Sequence, residues 1–214
     1  MTKLISFLLF FTLLTSTQAA TLEEVYTSTK ESLILIGESH KDDVSRQKVR
    51  ESLSAFKEAG GEILALEMIE SHKQYLLDNF EANLDGSQSM LSEYLTKRWQ
   101  YNTESYMQLI SEARRLDLRL IAIDLDKTQW PRETTVYPVI PDISKVRAAR
   151  EAHMSEVLCE YKEVKTIVLI GSFHTYKRFL PSALESSCAM ESASIILKDL
   201  LKSVFLTNYT NFLM

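Results

Sequence analysis

Two stretches of the chain, Leu33-Ile34-Leu35-Ile36-Gly37-Glu38-Ser39-His40 and Ile167-Val168-Leu169-Ile170-Gly171-Ser172-Phe173-His174, share one form: four apolar residues, a glycine, two further residues and a histidine. Imidazole takes up and releases protons near neutrality and is also a common metal ligand. Carboxylates follow apolar runs in the same way: Glu38 inside the first motif, Glu67 after Ile63–Leu66, and Asp124 after Leu120–Ile123. Two imidazoles and one acid suit a divalent metal such as zinc, or a non-haem iron, with an open position for water. His40, His174, Glu67 and Asp124 are the residues for that site. Without a metal, Glu38 or Glu67 orienting His40 makes a general base, so Glu38, His40, Glu67 and His174 are the catalytic candidates. A glycine and a histidine after one strand carry little information; the pair, with carboxylates at the intervening strand ends, points to a site. No glycine-rich phosphate-binding pattern occurs, so a nucleotide cofactor is not indicated.

What positions such residues is legible in the hydropathy. Leu33–Ile36, Ile63–Leu66, Leu120–Ile123 and Ile167–Ile170 are continuous apolar runs, the pattern of strands covered on both faces. Between them the period becomes helical. Val49, Leu53 and Phe56 share a face of a helix stopped by Gly60-Gly61; Tyr106, Leu109, Ile110, Ala113 and Leu116 share another; Val146, Ala149, His153, Val157 and Tyr161 make a third. Alternating strands and helices predict an α/β fold, a mainly parallel sheet with helices on both faces. Ligands in such folds bind at the carboxyl edge of the strands, and each candidate residue follows a strand.

The first twenty residues read as a secretory signal: Lys3, an apolar run from Leu4 to Leu14, and small residues at Thr17-Gln18-Ala19-Ala20. The run is too short to span a bilayer, which takes about 20 residues. Residues 21–214 are then expected as one soluble, exported domain, periplasmic or secreted. Removing Lys3 leaves 23 basic against 29 acidic residues, a net charge of −6, which disfavours nucleic acid as a partner. Neither Cys159 nor Cys188 follows the signal, so no lipid-attachment cysteine is present. Cys159 ends the helix entering the fourth strand and Cys188 lies just beyond the one leaving it, so both are expected at the amino edge, close enough to pair.

His72 and His153 lie in helical stretches and read as surface or internally satisfied residues. The segment from Lys127 to Ser144, with three of the four prolines and Trp130, is longer than a normal connection of about 2–6 residues and reads either as a lid over the active edge or as a packed excursion that shields a sheet edge.

Gly37-Glu38-Ser39-His40, Leu66-Glu67-Met68, Trp99 and Tyr106 ahead of Arg114-Arg115, and Gly171-Ser172-Phe173-His174 followed by Leu180-Pro181 together resemble the ChaN-type haem-binding proteins. These belong to a superfamily that includes the Tiki metalloproteases and share features with the erythromycin esterases. The resemblance runs from about Ser32 to Leu184. It implies haem as cofactor and a role in haem or iron acquisition at the cell envelope, or else a hydrolytic site at the same place. Glu38, His40, Glu67 and His174 match the family's signature positions, and Tyr101 and Tyr106 are the candidates for its haem-ligating tyrosine.

Overall fold

Each of the four apolar runs forms a strand in the computed structural model, which describes residues 20–99, 102–130, 143–197 and 204–206. The strands are β1 (Leu33–Glu38), β2 (Ile63–Glu70), β3 (Arg119–Asp124) and β4 (Thr166–Gly171), joined by β5 (Ser192–Leu197) and a short β6 (Val204–Leu206). Strand order is β3-β2-β4-β1-β5-β6, parallel throughout except for β6, which runs antiparallel to β5. The helices are α1 (Leu22–Ser28), α2 (Asp43–Glu58), α3 (Gln74–Glu81), α4 (Ser87–Trp99), α5 (Thr103–Arg115), α6 (Ile143–Cys159) and α7 (Leu180–Cys188). Of the expected signal segment, residues 1–20, only Ala20 is among the described residues.

Strand side chains alternate between two apolar layers, as the two-residue period requires. Ile34, Ile36, Leu64 and Leu66 pack with Tyr26 of α1, Val49 and Phe56 of α2, and Leu109 and Ile110 of α5. Leu33, Leu35, Val168 and Ile170 face the other way, onto Met154 and Leu158 of α6 and Leu180 and Leu184 of α7. Each fully buried side chain of this size contributes roughly 1.5–3 kcal/mol relative to exposure. Helices therefore cover both faces of the sheet.

The stripe expected on α6 is displaced. Ala149 is exposed and His153 and Val157 are only half-buried, whereas Val146, Arg150, Met154 and Leu158, spaced by four, are buried. The true buried stripe contains an arginine, which a search for apolar spacing passes over. On α2 the same thing happens: Arg46 lies fully buried on the face of Val49, Leu53 and Phe56.

Cys159 and Cys188 are bonded, with Cα atoms 6.1 Å apart, and tie the end of α6 to the end of α7. The bond sits at the amino edge, as expected. Lys162 Nζ donates to Cys188 O at 2.8 Å, and Ser32, just before β1, donates to Lys162 O at 2.6 Å. Of the expected lid, only Lys127 to Trp130 and the start of α6 from Ile143 are among the described residues.

Candidate functional site

The two glycine-containing strands are neighbours. β4 inserts between β1 and β2, with Glu38 beside Gly171, so the ends of three adjacent strands present Glu38, Gly171 and Glu67 in turn. Both glycines are required by close approach. A Cβ on Gly37 would stand 2.9 Å from Ser172 Cα, in the short turn Ser172–Thr175 that carries His174. A Cβ on Gly171 would stand 2.8 Å from His40 Nε2 and 3.4 Å from Glu67 Oε2. The missing side chain of Gly171 is the space through which His40 faces Glu67.

His40 is held by its other nitrogen. Its Nδ1 lies 3.0 Å from Glu38 Oε1, and its ring stacks at 4.7 Å on Trp99 of α4. Glu38 is buried and fixed in turn: Arg46 Nη1 donates to its Oε2 at 2.7 Å and the Tyr106 hydroxyl donates to its Oε1 at 2.7 Å. Arg46 also donates to Asp43 and Ser105. Burial pulls the His40 pKa down, but its bond to Glu38 and the negative charge of Glu67 more than offset this, and His40 titrates above 6.5.

Glu67 is the centre of the site. Arg150 of α6 donates to its Oε1 at 2.5 Å, the Gly171 N–H donates to its Oε2, His174 Nε2 stands 3.5 Å from Oε1 and His40 Nε2 4.0 Å from Oε2. Burial raises its pKa, yet Arg150, the two imidazoles and the Gly171 N–H together hold it well below the usual carboxylate range. The same guanidinium donates through Nε to Asp124 Oδ1 at 2.7 Å, and Arg98 of α4 holds the other oxygen of Asp124 together with Glu70. His174, buried, has its Nδ1 3.1 Å from Glu151 Oε1. Each histidine thus has Nδ1 against its own carboxylate and Nε2 turned toward Glu67, giving an unbroken order Glu38, His40, Glu67, His174, Glu151. With Nδ1 of His40 held by Glu38, its Nε2 is the available basic nitrogen, whereas His174 Nε2 already accepts from Arg150 Nη1 at 3.5 Å.

Glu38, His40, Glu67 and His174 therefore stand together, and Asp124 adjoins them across Arg150. Two further candidate sets are placed differently from these four. Tyr106 is fully buried beneath the site, its hydroxyl committed to Glu38 and Arg46, so it positions Glu38 and is not presented to a ligand; Tyr101 lies outside the described residues. For the metal set His40, His174, Glu67 and Asp124, the Arg150 guanidinium occupies the place between the two carboxylates where a cation would be bound. The one cluster with ligand spacing among the described residues is instead Glu70, His72 and Asp126. There Glu70 is already bonded by Arg98, Tyr94 and the Lys127 N–H. His153 is internally satisfied, 2.7 Å from Ser71 Oγ.

Sequence reading missed Arg46, Arg98, Arg150 and Glu151. The available signal was a charged residue at a buried helical position, Arg46 three residues before Val49 and Arg150 four after Val146.

Above this floor opens a cleft of about 580 Å³, within the range of small-molecule sites. Its lining includes Trp99, Trp130 and Phe173 and the basic residues Lys41, Lys127 and Arg147.

A family model described as haem-binding uptake, Tiki superfamily, ChaN matches residues 25–135. No curated protein sequence matches the chain significantly. Among solved structures, that of ChaN of Campylobacter jejuni, described for cofacial haem binding, superposes with a TM-score of 0.61 at 15% identity, over 86% of this chain and 90% of that one. RRSP, a MARTX toxin effector domain from Vibrio vulnificus, gives 0.64 at 21% identity, over 88% of this chain and 37% of that one. The C-terminal region of Pasteurella multocida toxin, for which a thiol-protease-like catalytic triad is described, gives 0.58 at 12% identity, over 84% and 25%. At these identities the likeness is one of fold, and the chain spans well under half the length of either toxin chain.

Proposed function

Because the chain belongs to the haem-binding uptake (ChaN) family of the Tiki superfamily, we propose that it is an exported haem-binding protein serving haem or iron acquisition at the cell envelope. The observation that carries this reading is the family match to residues 25–135, read with a cleft whose walls suit a planar macrocycle. Trp99, Trp130 and Phe173 offer aromatic faces, and Phe173 is 61% exposed. Trp99, Trp130 and Phe173 would enclose the faces of a haem bound there above a polar floor, and the haem would supply the iron chemistry. Tyr106 is not the ligand in this reading, and His40 Nε2 is turned toward Gly171 and Glu67 rather than outward. Export is supported by the N-terminal apolar run, by the Cys159–Cys188 bond and by α1, which begins with a capping box at Thr21, where signal removal would leave the new N-terminus. No helix among the described residues is long and apolar enough to cross a membrane. The test is purification of the chain from Thr21 onward and titration with haem: a saturable, shifted Soret band is expected, and a featureless titration rejects the reading.

A second reading, hydrolysis in the manner suggested by the Tiki relationship, is favoured by one observation, the two carboxylate-held imidazoles converging on Glu67. His40 Nε2 would take the proton of a water seated between it and Glu67, with Glu38 stabilising the imidazolium. His40 would then give that proton to the leaving group, while His174, held by Glu151, would help fix Glu67. The pH profile separates the readings: turnover of an ester or amide substrate that rises as His40 loses its proton and vanishes in both His40→Ala and His174→Ala supports hydrolysis.

A further inference from the structure

Four arginines stand in or beneath the cleft, and three are committed. Arg46 bonds Glu38 and Asp43, Arg98 bonds Glu70 and Asp124, and Arg150 bonds Glu67 and Asp124. Arg147, one turn before Arg150 on α6, has no carboxylate partner among the described residues. Its guanidinium is held by aromatic faces instead, with Cζ 5.6 Å from the Phe173 ring centroid and 4.8 Å from that of Phe179. Stacking uses the face of the guanidinium and leaves the in-plane N–H donors free, which is the arrangement that receives a carboxylate through two parallel bonds. Lys127 repeats the pattern on another wall. It has no ion pair among the described residues, its Nζ stands 5.9 Å over the Trp130 ring, and desolvation with Arg98 and Arg150 pulls its pKa below the ordinary lysine value despite Glu70 and Asp124. The indole Nε1 of Trp130 is buried and has no hydrogen-bond acceptor among the described residues. Buried donors are nearly always bonded, so an uncommitted one in a cleft wall points to a group that arrives with the ligand.

We infer that Arg147 and Lys127, with the Trp130 indole N–H, form a carboxylate-receiving subsite in the cleft, which recognises a planar aromatic ligand by its acidic substituents. The inference rests on the haem reading and deepens it: the peripheral carboxylates of the macrocycle lie at Arg147 and Lys127 while its faces meet Phe173 and the tryptophans. Recognition is then by edge charge as much as by iron.

The test is haem titration of wild-type protein, Arg147→Gln, Arg147→Lys and Lys127→Gln, followed by the Soret band at two salt concentrations. A water-soluble iron porphyrin bearing N-methylpyridinium groups in place of carboxylates is titrated in parallel. Each glutamine variant is expected to bind haem about tenfold more weakly, as the loss of one charge-assisted bond implies. Arg147→Lys, which keeps the charge but not the fork, should fall between. Haem binding by the wild type should weaken with salt, and the cationic porphyrin should bind at least tenfold more weakly than haem. Haem affinity unchanged in both glutamine variants, or a cationic porphyrin bound as tightly as haem, overturns the subsite and leaves haem binding standing. A wild-type protein that does not shift the Soret band overturns both. The porphyrin comparison uses wild-type protein alone, so it decides the matter even if a variant fails to fold.

Discussion

Replacing Arg150 by Met removes the cation on which two buried carboxylates depend. Asp124 keeps Arg98 and the Leu125 N–H at 2.9 Å, so it stays compensated. Glu67 keeps the Gly171 N–H and two imidazoles at 3.5 and 4.0 Å but loses its only permanent positive partner among the described residues. Breaking a buried pair from one side costs about 3–5 kcal/mol, a large share of the 5–15 kcal/mol typical of a domain. The sign with pH follows from Glu67. In the wild type its pKa lies below the unfolded value of 4.5, so its contribution is present above that pH and is lost as pH falls toward the folded pKa. In Arg150→Met, burial acts with less opposition and the folded pKa rises. The penalty is therefore full at pH 7 and shrinks as pH falls through the raised value. Urea unfolding of the disulfide-intact protein at pH 7 and pH 4.5 measures this, and repeating it in a Glu67→Gln background isolates the pair, where Arg150→Met should cost at least 1–2 kcal/mol less. A loss that is independent of pH and identical in both backgrounds would refute the argument.

Four further outcomes are expected. The His40 ring protons should titrate with a midpoint above 6.5 by NMR and below it in Glu38→Gln; the charged form's stabilisation is full below 6.5 and disappears as pH rises through the folded value, and a wild-type midpoint at or below 6.5 contradicts the assignment. Gly171→Ala, with its Cβ 2.8 Å from His40 Nε2, should destabilise by about 1–3 kcal/mol and lower the His40 midpoint as the ring is pushed off Glu38. Replacing both Cys159 and Cys188 by Ser reopens a loop of about 30 residues and should cost roughly 3–4 kcal/mol in denaturant, while two free thiols in the unreduced wild type would remove the bond itself. Tyr106→Phe should leave the haem-bound Soret position unchanged, since its hydroxyl is spent on Glu38, whereas a shift would make it a ligand.

The strands that carry the site were legible because each is a continuous apolar run with a glycine or acid at its end, a pattern that survives without any knowledge of neighbours. β5 was not, because Ser192 and Ser194 interrupt its apolar residues and the strand reads as a polar alternation. Nor was the insertion of β4 between β1 and β2, since pairing partners leave no mark in local hydropathy. That insertion is what turns two histidines on one rim into two histidines on one carboxylate. The helix-borne half of the site failed for a different reason. Arg150 and Glu151 lie one turn after Arg147 on a helix with charged and alanine positions mixed, where an internal ion pair and a solvated face look alike until the sheet below supplies Glu67 and His174.

The central position of β1 constrains the order in which the molecule can be made. Its partners are β4 and β5, and Leu33 pairs with Thr166 and with Ser192, separations of 166 − 33 = 133 and 192 − 33 = 159 residues. A chain emerging from its amino end must carry the bare strand Leu33–Ile36 with both edges unpaired until β4 has appeared, and with one edge open until β5 has followed. Pairing at such range is slow, and an open apolar strand is the part of a nascent chain most prone to join a neighbour's. If the protein crosses a membrane unfolded, this waiting period falls after translocation, and it is there that a holding chaperone would find its substrate.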